Sequence, residues 1–355
     1  MTVVGRVAVA RPYCACRHCG ASRVRFDEWA GVGKGHLTAG AKRMACLAAT
    51  GWSFDRAGKN LLELTGLDVS DQTIRRVAEA EGLRAHDWLA TSSRAVEAVR
   101  HTAGHAEATT DGTIVNTVEG WKEVRLTVVS RRRAGTRGDP SAFTRLESRD
   151  LPPPAARLVL VSKLGSEQMG TMWKVLSARL GWGRGKGMSF ISDGARWIAA
   201  QAGEAWPQAE RVVDVYHVSQ HLHACGGALH GEGTAEARAW AAERLRSLVR
   251  EGAGPGLWSL ELERESATDA RKRAALQSLL GYLKPNAHAL GYGDRIRRGL
   301  PIGSGQIEGA CKTVVGRRLK LNSARWLPAN LEPIASLCGL QYSDAWDTFW
   351  SAKAA

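Results

Sequence analysis

The sequence predicts an α/β protein with a mixed β-sheet, preceded by a small helical domain. Three observations support this. Residues 37–50 and 54–66 carry apolar residues at helical spacing. From about residue 105, β-branched and apolar residues alternate as in strands, and strands then alternate with helices. Residues 218–290 follow as an almost wholly helical segment rich in Ala, Leu, Arg and Glu.

The overall composition is that of a globular protein with a polyanionic partner. Of 355 residues, 49 are Lys or Arg and 35 are Asp or Glu, which gives a net charge of +14. This excess favours nucleic acid as the partner, although a merely basic protein from a GC-rich genome would look similar. No apolar run approaches the roughly 20 residues that span a bilayer, and no signal peptide is evident. We therefore expect an intracellular, cytoplasmic protein with no membrane partner.

The N-terminal segment, residues 1–36, carries half of a zinc-binding pattern. Cys16 and Cys19 have the spacing of one zinc-ribbon knuckle, but a closed tetrahedral site needs four ligands. The next cysteine along the chain has no partner two or three residues away. Cys14 and His18 complete a compact site only with strained geometry. The segment is thus either a partial zinc knuckle or a remnant without metal, and the seven cysteines do not indicate a disulfide framework.

Residues 37–100 have the order of a helix-turn-helix DNA-binding region. The run 54–66 ends at Gly66, a usual helix stop, and Ser70 is a suitable N-cap for a second helix that we expect to end near Gly82. In such units the second helix enters the major groove, so polar residues near its start are candidate DNA contacts. These are Gln72, Thr73, Arg75 and Arg76. Simple packing of two amphipathic helices is the alternative.

The remaining segments predict a sheet-containing core interrupted by helices. The first part, residues 101–225, contains the predicted strands 107–115, 122–130, 157–162, 188–193 and 211–215. The first three are expected to form an antiparallel meander with an exposed loop over 131–154. The last two alternate with helices 166–180 and 195–205, which suggests parallel additions to the sheet. Residues 226–300 are predicted as a helical insertion, and 301–355 as the final helix of the core with the C-terminal tail.

Three isolated acids have the placement that metal-dependent phosphodiester chemistry needs. Two divalent ions about 3.5–4 Å apart activate the attacking oxygen and stabilise the leaving one, and carboxylates are suitable ligands for Mg²⁺. Asp111 on the first strand and Asp193 at the end of the fourth each precede a glycine, which leaves room for metal or phosphate. Glu308 lies in the first turn of a helix expected to end near Leu321. A simple turn explains an isolated Asp-Gly equally well, and the helix dipole alone favours Glu308.

Basic residues and histidines extend this predicted site. Lys312 lies one turn after Glu308, and further cations for DNA phosphates follow in the same helix, although a solvated basic face would look the same. These further cations are Arg317, Arg318 and Lys320. Asp214 and His217 lie close together at a strand-to-helix junction. His217 and His221 have the i,i+4 spacing of zinc pairs, but the glutamate of the zinc-protease motif is missing.

Five motifs, taken in order, resemble those of the ISKra-group insertion-sequence transposases, and the resemblance covers roughly residues 50–350. The motifs are Thr110-Asp111-Gly112-Thr113, Gly120-Trp121-Lys122-Glu123-Val124-Arg125, Ser192-Asp193-Gly194-Ala195-Arg196-Trp197, Asp214-Val215-Tyr216-His217 and Gly303-Ser304-Gly305-Gln306-Ile307-Glu308. Each motif alone is weak, whereas the ordered set is specific.

The resemblance implies a ribonuclease H-like fold with an all-α insertion, as in Mutator-like transposases. It assigns Asp111, Asp193 and Glu308 as the DDE acids that hold two Mg²⁺ ions, with Mn²⁺ as a substitute. Asp214 and His217 are then accessory residues, together with Lys312, and Asp214 is the reserve for the second acid. The expected partners are element ends and target DNA, bound by a homo-oligomer. A non-catalytic DNA-binding protein, such as a domesticated or decayed transposase, and a nuclease that cuts without joining are the alternatives.

Overall fold

The computed structural model describes residues 1–29, 32, 37–144 and 151–352. The described strands are β1 (Cys14–Ala15), β2 (Ser22–Arg23), β3 (His105–Thr117), β4 (Gly120–Arg132), β5 (Ala156–Ser162), β6 (Met188–Ser192) and β7 (Glu210–Val213). The described α-helices are α1 (Arg25–Trp29), α2 (Ala39–Gly51), α3 (Phe54–Thr65), α4 (Asp71–Thr91), α5 (Ser93–His101), α6 (Ser166–Leu180), α7 (Arg196–Ala205), α8 (Val215–His230), α9 (Ala235–Arg250), α10 (Ala253–Ser266), α11 (Ala270–Leu283), α12 (Tyr292–Arg297), α13 (Gly305–Ala310), α14 (Arg317–Leu319), α15 (Leu331–Tyr342) and α16 (Trp346–Ser351). The predicted α/β class is confirmed.

The chain divides into two compact units. Unit 1 consists of Met1–Ala95, Thr113–Val124 and Lys312–Ala355, and unit 2 of Val96–Gly112 and Arg125–Cys311. The helical segment 226–300 shares unit 2 with most of the sheet, and the C-terminal residues from Lys312 belong to unit 1. There α15, buried along most of its length, packs along α4.

Unit 1 contains the two helices of the predicted helix-turn-helix. Helix α3 ends as expected at Gly66, whose φ of +69° is the left-handed conformation that glycine adopts most readily. Ser70 caps α4, since its hydroxyl accepts a hydrogen bond from the Thr73 N–H. The predicted end of this helix near Gly82 is wrong, because α4 continues to Thr91.

Gly82 serves helix packing and not helix termination. A Cβ atom at this position would lie 2.4 Å from the carbonyl oxygen of Pro333 in α15. Only glycine allows the backbones of α4 and α15 to approach this closely. The sequence pattern therefore did not distinguish a glycine that ends a helix from a glycine that allows close packing between two helices.

The sheet of unit 2 has the strand order β5-β4-β3-β6-β7. Strand β4 pairs with β5 in antiparallel register, and the two-residue turn between β3 and β4 requires an antiparallel pair there too. The pairs β3–β6 and β6–β7 are parallel. The predicted meander with parallel additions is thus confirmed. Part of the predicted loop 131–154 lies outside the described residues, and β4 extends to Arg132.

Helices pack on both faces of this sheet, because neighbouring residues of a buried strand point in opposite directions. Phe190 of β6 contacts the ring of Trp173 from α6, with centroids 5.4 Å apart. The next residue, Ile191, joins a buried cluster with α8 and α11. Buried members of that cluster include Val212, Val218, Leu222, Leu276 and Leu280. Residues 226–300 are helical as predicted, and within the described ranges no helix combines the length and apolar character needed to cross a bilayer.

Replacing Gly82 by alanine is expected to destabilise unit 1. The added Cβ must displace backbone atoms of Pro333, which should cost about 1–3 kcal/mol of unfolding free energy. Gly51→Ala, in α2 of the same unit, is the matched control because no atom lies within 4 Å of its added Cβ. The control should be neutral or stabilising by up to about 1 kcal/mol. Urea unfolding of both variants checks this, and equal stabilities would contradict the packing role of Gly82.

Candidate active site beside three parallel strands

Three aspartates lie just beyond the segments of β3, β6 and β7 that pair in parallel in unit 2. Asp193 and Asp214 directly follow β6 and β7, whereas Asp111 lies within β3, two residues after the last residue that pairs with β6. Thr109 of β3 is paired with Ile191 of β6, so extending the register by two residues brings Asp111 opposite Asp193. Ser192 is paired with Val213 of β7, and one further step brings Asp193 opposite Asp214. Because neighbouring strands lie about 4.8 Å apart, parallel pairing places the three residues side by side.

The electrostatic environment of Asp111 reflects this crowding. Burial raises the pKa of its carboxyl above the ordinary value, and the carboxylates of Asp193 and Asp214 raise it further. The Gly112 N–H, which donates to Asp111 Oδ1 over 2.7 Å, and the nearby His217 act in the opposite direction. The cluster holds excess negative charge that a cation would relieve, and its oxygen donors suit Mg²⁺. Asp111 and Asp193 therefore fit a metal ion chemically.

The backbone around Asp193 is fixed by hydrogen bonds within unit 2. Asp193 Oδ1 accepts from the Ala195 N–H at 2.8 Å, and the hydroxyl of Tyr282 in α11 donates to the Asp193 carbonyl at 2.7 Å. Gly194 has a φ of +82°, and a Cβ there would lie 3.1 Å from Nδ2 of Asn286. The glycine after Asp193 thus allows both the turn and the close approach of the helical segment.

The carboxylate of Asp214 accepts two hydrogen bonds. It caps α8, since Oδ1 accepts from the Tyr216 N–H at 2.8 Å, and Oδ2 accepts from the hydroxyl of Ser304. The residue is buried, with 4% of its surface exposed. These contacts connect the end of β7 to the turn that leads into α13, which carries Glu308. Asp214 thus holds a turn in place, and Asp193 is the better candidate for the second acid.

Histidines of α8 and residues of α11 line a cavity beside Asp193. The cavity has a volume of about 500 Å³, and Asp193, Arg196, Arg211, His217, His221, Tyr282, Asn286 and His288 line it. His221 stacks on Tyr282 with ring centroids 3.8 Å apart. Burial, and then the nearby His217, lower the pKa of His221.

Glu308 lies on α13, in unit 2, and is exposed. The predicted helix through Leu321 is interrupted, because a π-helical segment over Cys311–Gly316 separates α13 from α14. Within the described ranges, no three Asp, Glu, His or Cys side chains converge closely enough to hold a metal ion. The structure thus places Asp193 and His217 near enough to Asp111 to shift the pKa of its carboxyl, but within the described ranges these residues form no three-ligand metal site with one another or with Glu308. Lys312 is exposed on the π-helical segment, in unit 1.

The predicted DNA-contacting residues of unit 1 fall into two groups. Most are at least partly accessible, and these are Gln72, Thr73, Arg75, Arg76, Arg317 and Lys320. Arg318 differs because it is only 2% exposed and lies over the rings of Phe54 and Trp326, at 4.7 and 4.8 Å. Its guanidinium also donates to the Ala49 carbonyl. Arg318 is thus a core residue of unit 1, and its burial removes it from the predicted phosphate contacts.

The N-terminal cysteines lie on a two-stranded hairpin formed by β1 and β2. Cys14, Cys16 and Cys19 are all exposed. Backbone N–H groups of Cys19 and His18 donate to the Cys16 sulfur and lower the pKa of its thiol. This turn presents Cys16 and Cys19 as two thiols, half of the four ligands of a structural zinc site. Cys14 and His18 do not complete it, because no three such ligands converge in the described part of the chain.

Residues of α11 and of the segment that follows it also belong to the site, and the sequence did not predict them. Tyr282, Asn286 and His288 lie about ninety residues after Asp193, and only the packing of α11 brings them to the strand ends. The sequence also did not predict Arg211 on β7. Its position two residues before the buried Val213 places both side chains on the same face of the strand, which was a usable signal. Comparison with known proteins adds no assignment, since no protein-family model matches the chain and no curated protein shows significant similarity.

Replacing Asp111 by asparagine is expected to stabilise the protein in EDTA at neutral pH. The change removes a partly buried charge beside two other carboxylates and keeps an oxygen for the Gly112 N–H. Thermal unfolding should show a higher midpoint than wild type. Asp214→Asn makes the same chemical change and should have the opposite effect, a decrease of about 1–3 kcal/mol in unfolding free energy, because that carboxylate accepts two hydrogen bonds. Destabilisation by Asp111→Asn would contradict electrostatic repulsion between Asp111 and the neighbouring carboxylates.

Proposed function

We propose that the chain is a DDE-type transposase that cuts DNA and joins it to a target with the help of divalent metal ions. The observation that carries the proposal is the parallel register of β3 and β6, which, extended by two residues, brings Asp111 of β3 opposite Asp193, the residue that follows β6. The strand order, with an antiparallel meander followed by two parallel strands, supports a ribonuclease H-like fold. The helical character of residues 226–300, the range predicted for the all-α insertion, also supports the proposal.

In this proposal Asp111, Asp193 and Glu308 hold two Mg²⁺ ions, for which Mn²⁺ can substitute. Bound metal would supply activation of the attacking oxygen and stabilisation of the leaving oxygen. Glu308 lies three residues before the start of the π-helical segment, and π-helical segments often occur at functional sites. Asp214 acts as a positioning residue, because its bond to Ser304 holds the turn before the helix of Glu308.

DNA binding is proposed to use the exposed cations of unit 1. Arg75 and Arg76 lie in the first two turns of α4, the helix that lies in the major groove in a helix-turn-helix, and we propose that they contact DNA phosphates there. Arg317 and Lys320 supply exposed charge near the C-terminal end of the π-helical segment. The net charge of +14 supports a partner with a phosphate backbone. We further propose a homo-oligomer, because two element ends must be paired before joining.

A non-catalytic DNA-binding protein is the second candidate, and one specific observation favours it. No three metal-ligating side chains converge in the described ranges, which is what a decayed or domesticated transposase would show. In that case the exposed cations of α4 would remain functional while the carboxylates would not react. A nuclease that cuts without joining is distinguished only by its products.

Asp193→Asn and Glu308→Gln should each abolish DNA cleavage and joining and leave DNA binding within about twofold of wild type. The reaction uses labelled DNA that flanks the protein's own gene, with Mg²⁺ or Mn²⁺, and products are separated on denaturing gels. Loss of one carboxylate removes a metal ligand but no DNA-contacting cation. The control is Asp294→Asn, which replaces an exposed aspartate that pairs with Arg298.

The outcomes separate the candidates. Cleavage with joining in wild type and in Asp294→Asn, but not in the two other variants, supports the transposase. Cleavage without joined products identifies the nuclease. If all the proteins bind DNA equally and none of them cleaves it, the transposase and the nuclease are both rejected, and the chain is a non-catalytic DNA-binding protein.

Replacing Arg75 and Arg76 together by alanine should weaken DNA binding about equally across sequences. For every DNA phosphate that the variant no longer neutralises, the slope of log affinity against log salt should become shallower by about 0.9. Arg94→Ala, an exposed arginine of α5 in the same unit, is the control and should leave the slope unchanged. Fluorescence anisotropy at several salt concentrations measures both, and identical slopes for all three proteins would exclude α4 from the interface.

A further inference from the structure

The cavity beside Asp193 contains two arginines that have no partner within the described part of the chain. Arg211 on β7 is half-buried and Arg196 at the start of α7 is exposed, and both line the cavity. Neither side chain takes part in a hydrogen bond or ion pair with the described residues. Burial lowers the pKa of Arg211, and no carboxylate offsets the effect.

This situation is unusual among the buried and half-buried arginines of unit 2. Several of them pair with a glutamate, and these pairs are Arg132–Glu107, Arg244–Glu263 and Arg295–Glu210. A partly buried guanidinium is normally paired because its desolvation is costly. The cavity around Arg211 is therefore suited to an anion that enters from solution.

The lining of the cavity also includes two stacked aromatic rings. Tyr282 and His221 form a stack with an interplanar angle of 21°. The hydroxyl of Tyr282 is bound to the Asp193 carbonyl, and Asn286 donates to the Tyr282 carbonyl at 2.9 Å, so the ring is held in place. Nucleobases stack on such side chains with little dependence on sequence.

We propose that this cavity binds one unpaired nucleotide of the DNA substrate, with its phosphate at Arg211 and Arg196 and its base on the Tyr282–His221 stack. The volume of about 500 Å³ lies within the range of sites for one small molecule. A base can reach the rings only after it leaves the duplex stack. The inference rests on the proposed function, because Asp193 at the cavity edge then places this nucleotide next to the phosphodiester that reacts.

The test uses full-length protein in EDTA, so that binding is measured without cleavage. The probes are 5′-phosphorylated single-stranded tetranucleotides that carry 2-aminopurine, whose fluorescence is quenched on stacking, and the same oligonucleotides with an abasic site. Arg211→Gln should weaken binding about tenfold or more, because the neutral amide cannot form a charge-assisted hydrogen bond to the phosphate. Arg196→Gln, at an exposed position where folding is not at risk, should weaken it in the same direction.

Variants of Tyr282 separate the stacking contact from the hydroxyl contact. Tyr282→Leu should abolish the quenching, whereas Tyr282→Phe keeps the ring and should retain it. Arg271→Gln removes one exposed charge from α11, the helix of Tyr282, and is the control that should bind like wild type. Circular dichroism of each variant establishes that it is folded.

The proposal is overturned if Arg211→Gln, Arg196→Gln and Arg271→Gln bind equally, or if the abasic probe binds as tightly as the base-containing one. A free nucleoside monophosphate that binds as tightly as the tetranucleotide, with the same dependence on Arg211, would overturn the assignment to DNA. If oligonucleotide binding depends on Arg211 but the protein never cleaves DNA, the nucleotide site is supported and the transposase is rejected. If cleavage depends on Asp193 but is unaffected by Arg211→Gln and Arg196→Gln, the transposase is supported and the nucleotide site is rejected.

Discussion

Parallel pairing of β3 with β6, and of β6 with β7, is the constraint on which the candidate site depends. It aligns Asp111, Asp193 and Asp214 at neighbouring positions, although 82 and 21 residues separate them along the chain. The strands carry buried side chains on both faces, so a shift by one residue would point every side chain to the other face. The same packing that fixes the register therefore also enforces the repulsion between the carboxylates.

The buried side chain of Arg295 connects this register to the helix that carries Glu308. It is 1% exposed, pairs with Glu210 of β7 at 2.8 Å and donates to Ser189 of β6 at 2.9 Å. Its Nε also donates to the Pro301 carbonyl at 2.7 Å, in the turn before α13. Because the Arg295 side chain is buried, removing its partner Glu210 would leave a desolvated charge unpaired. Arg295 thus holds two strands and the turn together.

The sequence predicted what depends on local pattern and missed what depends on tertiary contact. Strand alternation located β3 to β7, and isolated acids before glycines predicted Asp111 and Asp193 as site residues, which the structure places on or directly after two neighbouring strands. Gly82 was misinterpreted as a helix stop, because the Pro333 carbonyl that requires glycine lies about 250 residues away. Arg318 has the sequence context of a surface cation, and only the folded positions of Phe54 and Trp326 bury it.

Net charge likewise indicates the type of partner but not which arginines meet it. Arg318 and Arg295 contribute to the charge of +14 while their guanidiniums are occupied by aromatic rings, carbonyls or a carboxylate inside the fold. What distinguishes Arg211 is that burial has removed part of its hydration and the described residues provide no replacement. Such an arrangement lowers the stability of the unbound protein and is offset when an anion enters. Partly buried charged groups without a partner are expected at functional sites, and Arg211 lines the same cavity as Asp193.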